Sequence, residues 1–226
     1  MIYLNSDDLA FPAPHLARAD GLLCLGGDLS KERLALAYKS GIFPWYEDGQ
    51  PLLWWSPDPR MVLFPGEFKI SKSFRTTLRN HSYTLTSDTA FEEVIRQCAR
   101  IPRKDQLGTW ITEEMIAAYL ALHRAGMARS VELWEGSELA GGLYGIDLPE
   151  YGVFCGESMF SLRSNASKIA LHGLVEAVQK AGYVFIDCQL YTDHLHSLGA
   201  REISRSVFLK QLDQPQKTFS AFSVSS

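Results

Sequence analysis

Two carboxylates set on apolar strands limit what this chain can fold into. Phe154-Cys155-Gly156-Glu157 reads as a strand that ends in an acid, and Asn165-Ala166-Ser167-Lys168 opens the long amphipathic helix after it. A second strand follows at once, Val184-Phe185-Ile186-Asp187-Cys188-Gln189, and carries another acid. An ionised carboxylate is costly to bury unless it has a partner or a chemical task. Side chains alternate along a strand, so Phe185, Asp187 and Gln189 share one face and Val184, Ile186 and Cys188 the other. If the intervening helix is a right-handed crossover, the two strands are parallel neighbours. Glu157 and Asp187 then meet where the strands splay, which is where pockets form in such sheets. Taken singly, each acid has a second reading. Glu157 can cap the following helix, and Asp187 can pair with Lys168 or Arg205. Together with Gln189 they favour a site.

The remaining elements group around this unit. Residues 1–60 are rich in turns, prolines and aromatics and are read as a small N-terminal domain, with 61–226 as the larger one. Gly26-Gly27-Asp28 lacks the Lys-Ser/Thr of a phosphate loop and reads as a structural turn. Ser30 caps a helix to residue 38, with Gly41 beyond its end. The prolines and tryptophans of 42–60 forbid a long regular element there and require an aromatic cluster, from which one or two Trp rings can face a ligand. Beyond 60 the pattern predicts strands at 61–64 and 83–87, and helices at 71–80 and from an Asp88 cap to 100. A Thr112-capped helix to 125, a hairpin of 130–134 and 139–146, and a strand at 152–157 follow. The last expected elements are a helix over 166–181, a strand at 183–188 and a short helix near 193–198. The residues after Asp213 are expected to fray. This order is α+β with a mixed central sheet flanked by helices.

Composition excludes several classes. The apolar runs are too short to span a membrane and the N-terminus has no secretion signal, so a cytoplasmic protein is expected. Four dispersed cysteines in apolar contexts point to reduced thiols, not disulfides or zinc. The net charge is −4, yet residues 60–104 hold nine Lys/Arg against four acids, leaving the rest of the chain at −9. A basic patch on an acidic protein fits an anionic partner, and equally a solvated helix face. Ser158 lacks the glycines of a nucleophile elbow, Cys155 and Cys188 read as interior, and His194 and His196 have no metal-ligand companions at useful spacing.

Several blocks together resemble one family. They are Gly-Leu-Leu-x-Leu-Gly-Gly-Asp-Leu-Ser (21–30), Gly-Ile-Phe-Pro-Trp-Tyr (41–46), Leu-Trp-Trp-Ser-Pro-Asp-Pro-Arg (53–60) and Thr-Trp-Ile (109–111). Further on come Gly-Gly-Leu-Tyr-Gly (141–145), Phe-Cys-Gly-Glu-Ser-Met-Phe-Ser (154–161), Asn-Ala-Ser-Lys (165–168), Ile-Asp-Cys-Gln (186–189) and Ser-Leu-Gly-Ala (197–200). In this order they resemble the bacterial leucyl/phenylalanyl-tRNA–protein transferases over about residues 11–210. The resemblance implies an acetyltransferase-like (GNAT-type) second domain. It also implies transfer of Leu or Phe, and less well Met, from charged tRNA to proteins beginning with Arg or Lys, which marks them for degradation through the N-degron route. It places Glu157, Asp187 and Gln189 at the reaction centre and Trp45 and Trp110 around the terminal adenosine. It lines the donor side-chain pocket with Leu143, Phe154, Leu171, Leu174 and Ile186, and sets Lys72, Arg75 and Arg79 against the tRNA acceptor stem. Three departures stand out: Arg129 where the family usually has a histidine, the turn 147–151 in place of a shorter glycine turn, and a short C-terminal tail.

The chemistry implied needs no ATP, metal or other cofactor, because an aminoacyl ester is already activated. It needs positioning and modest proton handling. On this reading Asp187 accepts the proton of the attacking amine, Gln189 orients the ester or amine, and Glu157 holds a cationic or amino group of either substrate. A CoA-dependent acetyltransferase is the rival on the same fold, but Arg163-Ser164-Asn165-Ala166-Ser167-Lys168 has no glycine to let backbone N–H groups approach a pyrophosphate. A non-enzymatic RNA-binding module is the rival of another class, and it leaves both acids idle. Nothing in the sequence requires more than a monomer.

Overall fold

Short strands before residue 60 build a sheet of their own in the computed structural model, which describes residues 2–5, 8–80, 82–101, 110–213, 215 and 222–224. Its elements are β1 (Ile2–Leu4), β2 (Leu22–Gly26), α1 (Lys31–Lys39), β3 (Phe43–Pro44) and β4 (Leu53–Trp55), with strand order β1-β2-β4-β3. Ser30 Oγ accepts the Arg33 N–H at 3.3 Å and so caps α1. The Gly26-Gly27 turn ahead of it has a structural role: Asp28 accepts the Ser30 N–H at 2.8 Å and Arg33 Nε at 3.3 Å. Trp54 is wholly buried and donates to the Gly26 carbonyl.

A second, seven-stranded sheet starts at Arg60. It comprises β5 (Arg60–Leu63), α2 (Lys72–Asn80), β6 (Thr84–Ser87), α3 (Phe91–Arg100), α4 (Glu113–Arg124), β7 (Ala128–Glu135), β8 (Glu138–Leu148) and β9 (Val153–Ser161). Then come α5 (Ala166–Lys180), β10 (Phe185–Gln189), α6 (Asp193–Ser197), β11 (Arg201–Ile203) and α7 (Arg205–Leu212). The strand order is β11-β5-β10-β9-β8-β7-β6, with β9 and β10 parallel and the other pairs antiparallel. The mixed sheet is therefore present, and α5 does connect parallel neighbours. Apolar side chains of α5 cover one face together with Phe74 of α2. Those of α1, α3, α4 and α7 cover the other, so the small sheet and the large one share a core.

Four expectations need correction. Asp88 does not cap α3. It sits at φ 61, and its carboxylate instead accepts Arg129 Nε at 2.6 Å and the Ser130 N–H at 2.9 Å, so the helix begins at Phe91. The strand carrying Glu157 does not stop there but runs on to Ser161. After Gly199, β11 and α7 continue the fold; Ser204 caps α7, and Phe208 and Leu212, one turn apart, are its buried face. The tail does not simply fray, because Phe222 and Val224 are buried against α5 and β9 side chains. Arg103, Lys104 and Thr109 lie outside the described residues.

Arg129 gives a physical meaning to two of the departures. Besides Asp88 it donates to Asp147 Oδ2 (3.3 Å) and to the Phe222 carbonyl (3.1 Å), and its guanidinium lies 4.5 Å from the Phe222 ring. Asp147, which opens the unusual turn, also accepts the Tyr183 hydroxyl at 2.7 Å, and burial pushes its carboxyl up. Arg129→Met leaves Asp147 without its charge partner, so we expect a loss of about 3–5 kcal/mol in urea unfolding. A loss under about 1 kcal/mol would show that the cluster is not cooperative.

Candidate active site

Two strand irregularities shape the site. Along β8 and β9, Tyr144 pairs with Ser158 and Gly145 with Gly156, which leaves Glu157 as the extra residue of a bulge. Gly145 permits the close approach, since a Cβ there would lie 2.2 Å from the Cys155 carbonyl oxygen. Along β5 and β10, Val62 pairs with Asp187 and Met61 with Gln189, so Cys188 is skipped and Gln189 adopts φ 60. Pairing of β9 with β10 ends at Asp187↔Cys155. Beyond that point the strands part, and Gln189 Nε2 donates across the gap to Glu157 Oε1 at 2.8 Å.

The other oxygen of Glu157 accepts the Tyr119 hydroxyl at 2.9 Å, and the Tyr119 and Tyr38 hydroxyls bond to each other. Tyr119 belongs to the buried face of α4, with Met115, Ile116 and Leu122; Tyr38 comes from α1. Burial holds both phenols well above their ordinary range, so they stay protonated. Glu157 is half-buried and lines a cavity. Its desolvation outweighs the hydrogen bonds from Tyr119 and Tyr38 and pushes its pKa up to about 7.

The cavity has a volume of about 250 Å³. Glu157, Ser158 and Gln189 stand at its polar end, and Leu143, Met159, Leu171, Leu174, Ile186 and Leu195 supply apolar wall. Trp45 and Trp110 line it from the side of the small sheet and the start of α4, with Phe43. The other tryptophans are structural; Trp55, for example, donates to the Trp45 carbonyl at 2.6 Å. Lys72, Arg75 and Arg79 are all exposed on α2 at i, i+3 and i+7, hence on one helix face.

Two of the expected residues sit elsewhere. Asp187 is fully buried and does not line the cavity. Arg60 Nε and Nη2 hold its two oxygens at 2.8 and 2.7 Å, so its partner is neither Lys168 nor Arg205. Phe154 is fully buried as well, 5.4 Å from the Phe222 ring in an edge-on contact. Phe154 and Met159, five residues apart, both pack toward α5 because the extra residue reverses the alternation, and Met159 occupies the wall. Tyr38, Tyr119 and Met159 were not singled out from the sequence. The helical spacing around Tyr119 marked a buried face, but nothing local marked its hydroxyl. Burial pushes the thiols of Cys155 and Cys188 up, so neither is an ionised nucleophile.

Comparisons with known proteins place the site in context. The family profile described as leucyl/phenylalanyl-tRNA protein transferase matches residues 62–213, and that of the same family's N-terminal domain matches 27–58. A leucyl/phenylalanyl-tRNA–protein transferase of Nitrosomonas europaea is 57% identical over 216 residues, covering 95% of this chain and 90% of the relative. Those of Christiangramia forsetii and Desulforapulum autotrophicum are 54% and 52% identical, covering 94% and 93% of this chain and 100% and 91% of the relatives. Among solved structures, L-PGS from Bacillus licheniformis gives a TM-score of 0.42 at 13% identity, over 88% of this chain and 65% of that one. The protein is thus a transferase. More narrowly, the chain belongs to the leucyl/phenylalanyl-tRNA–protein transferase family.

The raised carboxyl of Glu157 has a consequence for stability. It binds its proton more tightly when folded than when unfolded, so folding gains from it at low pH. That contribution falls as pH rises from about 4.5 to about 7. Glu157→Gln removes the charge, and it should stabilise the protein at pH 8 by about 1–3 kcal/mol while changing little at pH 4. Thermal melts at the two pH values check this; equal effects at both would mean that Glu157 is not desolvated.

Proposed function

We propose that this transferase moves Leu or Phe, and less well Met, from charged tRNA to the α-amino group of proteins that begin with Arg or Lys. The added residue would mark them for degradation in the cytoplasm. The observation that carries the reading is a carboxylate with a pKa of about 7 at the polar end of an apolar cavity. An α-amino group has a reference pKa of roughly 7.7–8.0 and attacks only as the neutral amine. Glu157 is matched to take its proton.

In the proposed cycle the donor side chain enters between Leu143, Met159, Leu171, Leu174 and Ile186, and Trp45 and Trp110 pack on the terminal adenosine. The amine nitrogen bonds to the ester carbonyl carbon, and the bond from that carbon to the ribose oxygen breaks. Glu157 takes the amine proton and returns it to the departing ribose oxygen. Gln189 and Tyr119 hold the carboxylate through the two hydrogen bonds already formed. Proton transfer falls to Glu157 and not to Asp187, because both Asp187 oxygens are occupied by Arg60. An apolar wall separates donors differing by one methylene by only about 1–3 kcal/mol, so it accepts more than one large side chain.

The exposed basic face of α2 is assigned to the acceptor stem. The parting of β9 from β10 and the bulge at Glu157 support an acetyltransferase-like reading of the larger domain, and the glycine-free junction before α5 supports tRNA over CoA as carrier of the acyl group. A single chain supplies every residue of the cycle, so a monomer is proposed. Among the described residues no helix is long and apolar enough to cross a membrane.

Incubation with radiolabelled Leu-tRNA and a peptide beginning with Arg tests the reading. The rate should rise with pH through about 7 and level off above about 8, once both Glu157 and the amine are deprotonated. Glu157→Gln should lower kcat by roughly 10²–10⁴-fold with retained tRNA binding. Transfer within about threefold of the parent would remove Glu157 from proton transfer. Binding of tRNA without transfer by the parent protein would favour a binding module instead.

A further inference from the structure

Arg60 follows Pro57-Asp58-Pro59 and is buried to about 1% exposure at the start of β5. Its guanidinium ties together segments far apart in the chain. Nε and Nη2 grip both oxygens of Asp187 in β10, while Nη1 donates at 3.2 Å to the carbonyl of Gly41, just past α1. The rings of Phe43 and Phe208 lie 4.8 and 4.5 Å from it. A planar fork held at both oxygens and packed between two rings has little freedom to turn.

Stability alone is a weak reason for such a pair, since apolar residues of similar size often serve a buried site as well or better. What an apolar pair cannot do is accept a hydrogen bond. Asp187 Oδ1 accepts one more, from the Gln189 N–H at 3.0 Å. A side-chain oxygen bonded to the N–H two residues on is an Asx turn, and it offsets the cost of a left-handed backbone. Gln189 is the residue in that conformation, at φ 60, where β10 bulges. In it the side-chain amide reaches Glu157 Oε1. A chain of contacts therefore runs from Gly41 and Phe43, on the small sheet's side of the molecule, through Arg60, Asp187 and Gln189 to the carboxylate. Phe43 also lines the cavity.

We infer that Arg60 is a positioning residue for aminoacyl transfer: it fixes Asp187, which holds Gln189 in its left-handed turn and keeps Glu157 aimed into the cavity. The inference deepens the reading of Glu157 as proton acceptor and rests on it. Arg60 touches neither substrate, so its loss acts on kcat and leaves donor binding in place.

The test pairs an apolar replacement with two controls. The double variant Arg60→Met/Asp187→Leu fills the same space but leaves the Gln189 N–H without its acceptor. A misplacement near 1 Å costs roughly 100-fold, so kcat should fall by about that factor while KM for Leu-tRNA stays within about threefold. Adding Gln189→Met to the double variant should cost no more than about twofold further, because residues acting in one network are not additive. Asp187→Asn keeps an oxygen for the Gln189 N–H and should lose less than about tenfold. Arg129→Met, which breaks a charge cluster whose residues do not line the cavity, should leave kcat unchanged.

A folded double variant with kcat within about threefold of the parent overturns the inference, as does a full independent loss on adding Gln189→Met. If the double variant does not fold, Arg60→Lys takes its place. It keeps the charge and loses the fork, and kcat should drop roughly tenfold with unchanged circular dichroism; an unchanged kcat overturns the inference. Should Glu157→Gln retain transfer, the proton-acceptor reading fails by itself, while coupling between Arg60 and Gln189 stays measurable in the same variants.

Discussion

The Arg60–Asp187 ion pair is the contact on which the rest of the arrangement depends. It buries a carboxylate inside the larger sheet, and it joins residues 127 positions apart in the chain. Breaking one side would strand a charge in the core at a cost of about 3–5 kcal/mol. The pair therefore fixes β5 against β10 and ties the Gly41 turn to both. Gly41 sits at φ 72, and a Cβ there would lie 2.6 Å from the Leu209 side chain, so the carbonyl that Arg60 uses belongs to a turn only glycine fits.

Around that fixed point the site is made by departures from regular strand geometry. The bulge in β9 re-aims Glu157, and the bulge in β10 brings Gln189 opposite it. Between them the parallel strands stop pairing and the cavity opens. The low polarity of that cavity is what moves Glu157 toward neutrality. The same residue thus weakens the fold above pH 7, and on the proposed reading it is there that it serves as a base.

Much of this was legible in the sequence. Alternating apolar strands with single acids marked Glu157 and Asp187, the order of elements gave the mixed sheet, and Leu143, Leu171, Leu174 and Ile186, named from the resemblance, do line a cavity. The roles within the trio were not legible. Period-2 reasoning assumes an unbroken register, so it kept Asp187 and Gln189 on one face, and the skipped Cys188 breaks that. The resemblance set Phe154 at the wall, and it packs on Phe222 instead. Arg60 lies in a proline-rich run with no periodicity, and nothing local links it to a strand so far along the chain. Lys168 and Arg205, nearer in sequence, turn to Phe74 and to the Ser56 carbonyl instead. The alternation in Phe222-Ser223-Val224 was hidden by the polar residues around it.

Both the stability and the activity of the site turn on Glu157 titrating near neutrality in the folded protein. Carbon-13 carboxyl shifts of glutamate-labelled protein, with the Glu157→Gln variant to identify the resonance, follow that titration directly. We expect a single carboxyl with an apparent pKa of about 7 that is missing from the variant. A Glu157 resonance that titrates in the ordinary carboxylate range, about 4.3, would mean that the cavity does not desolvate it.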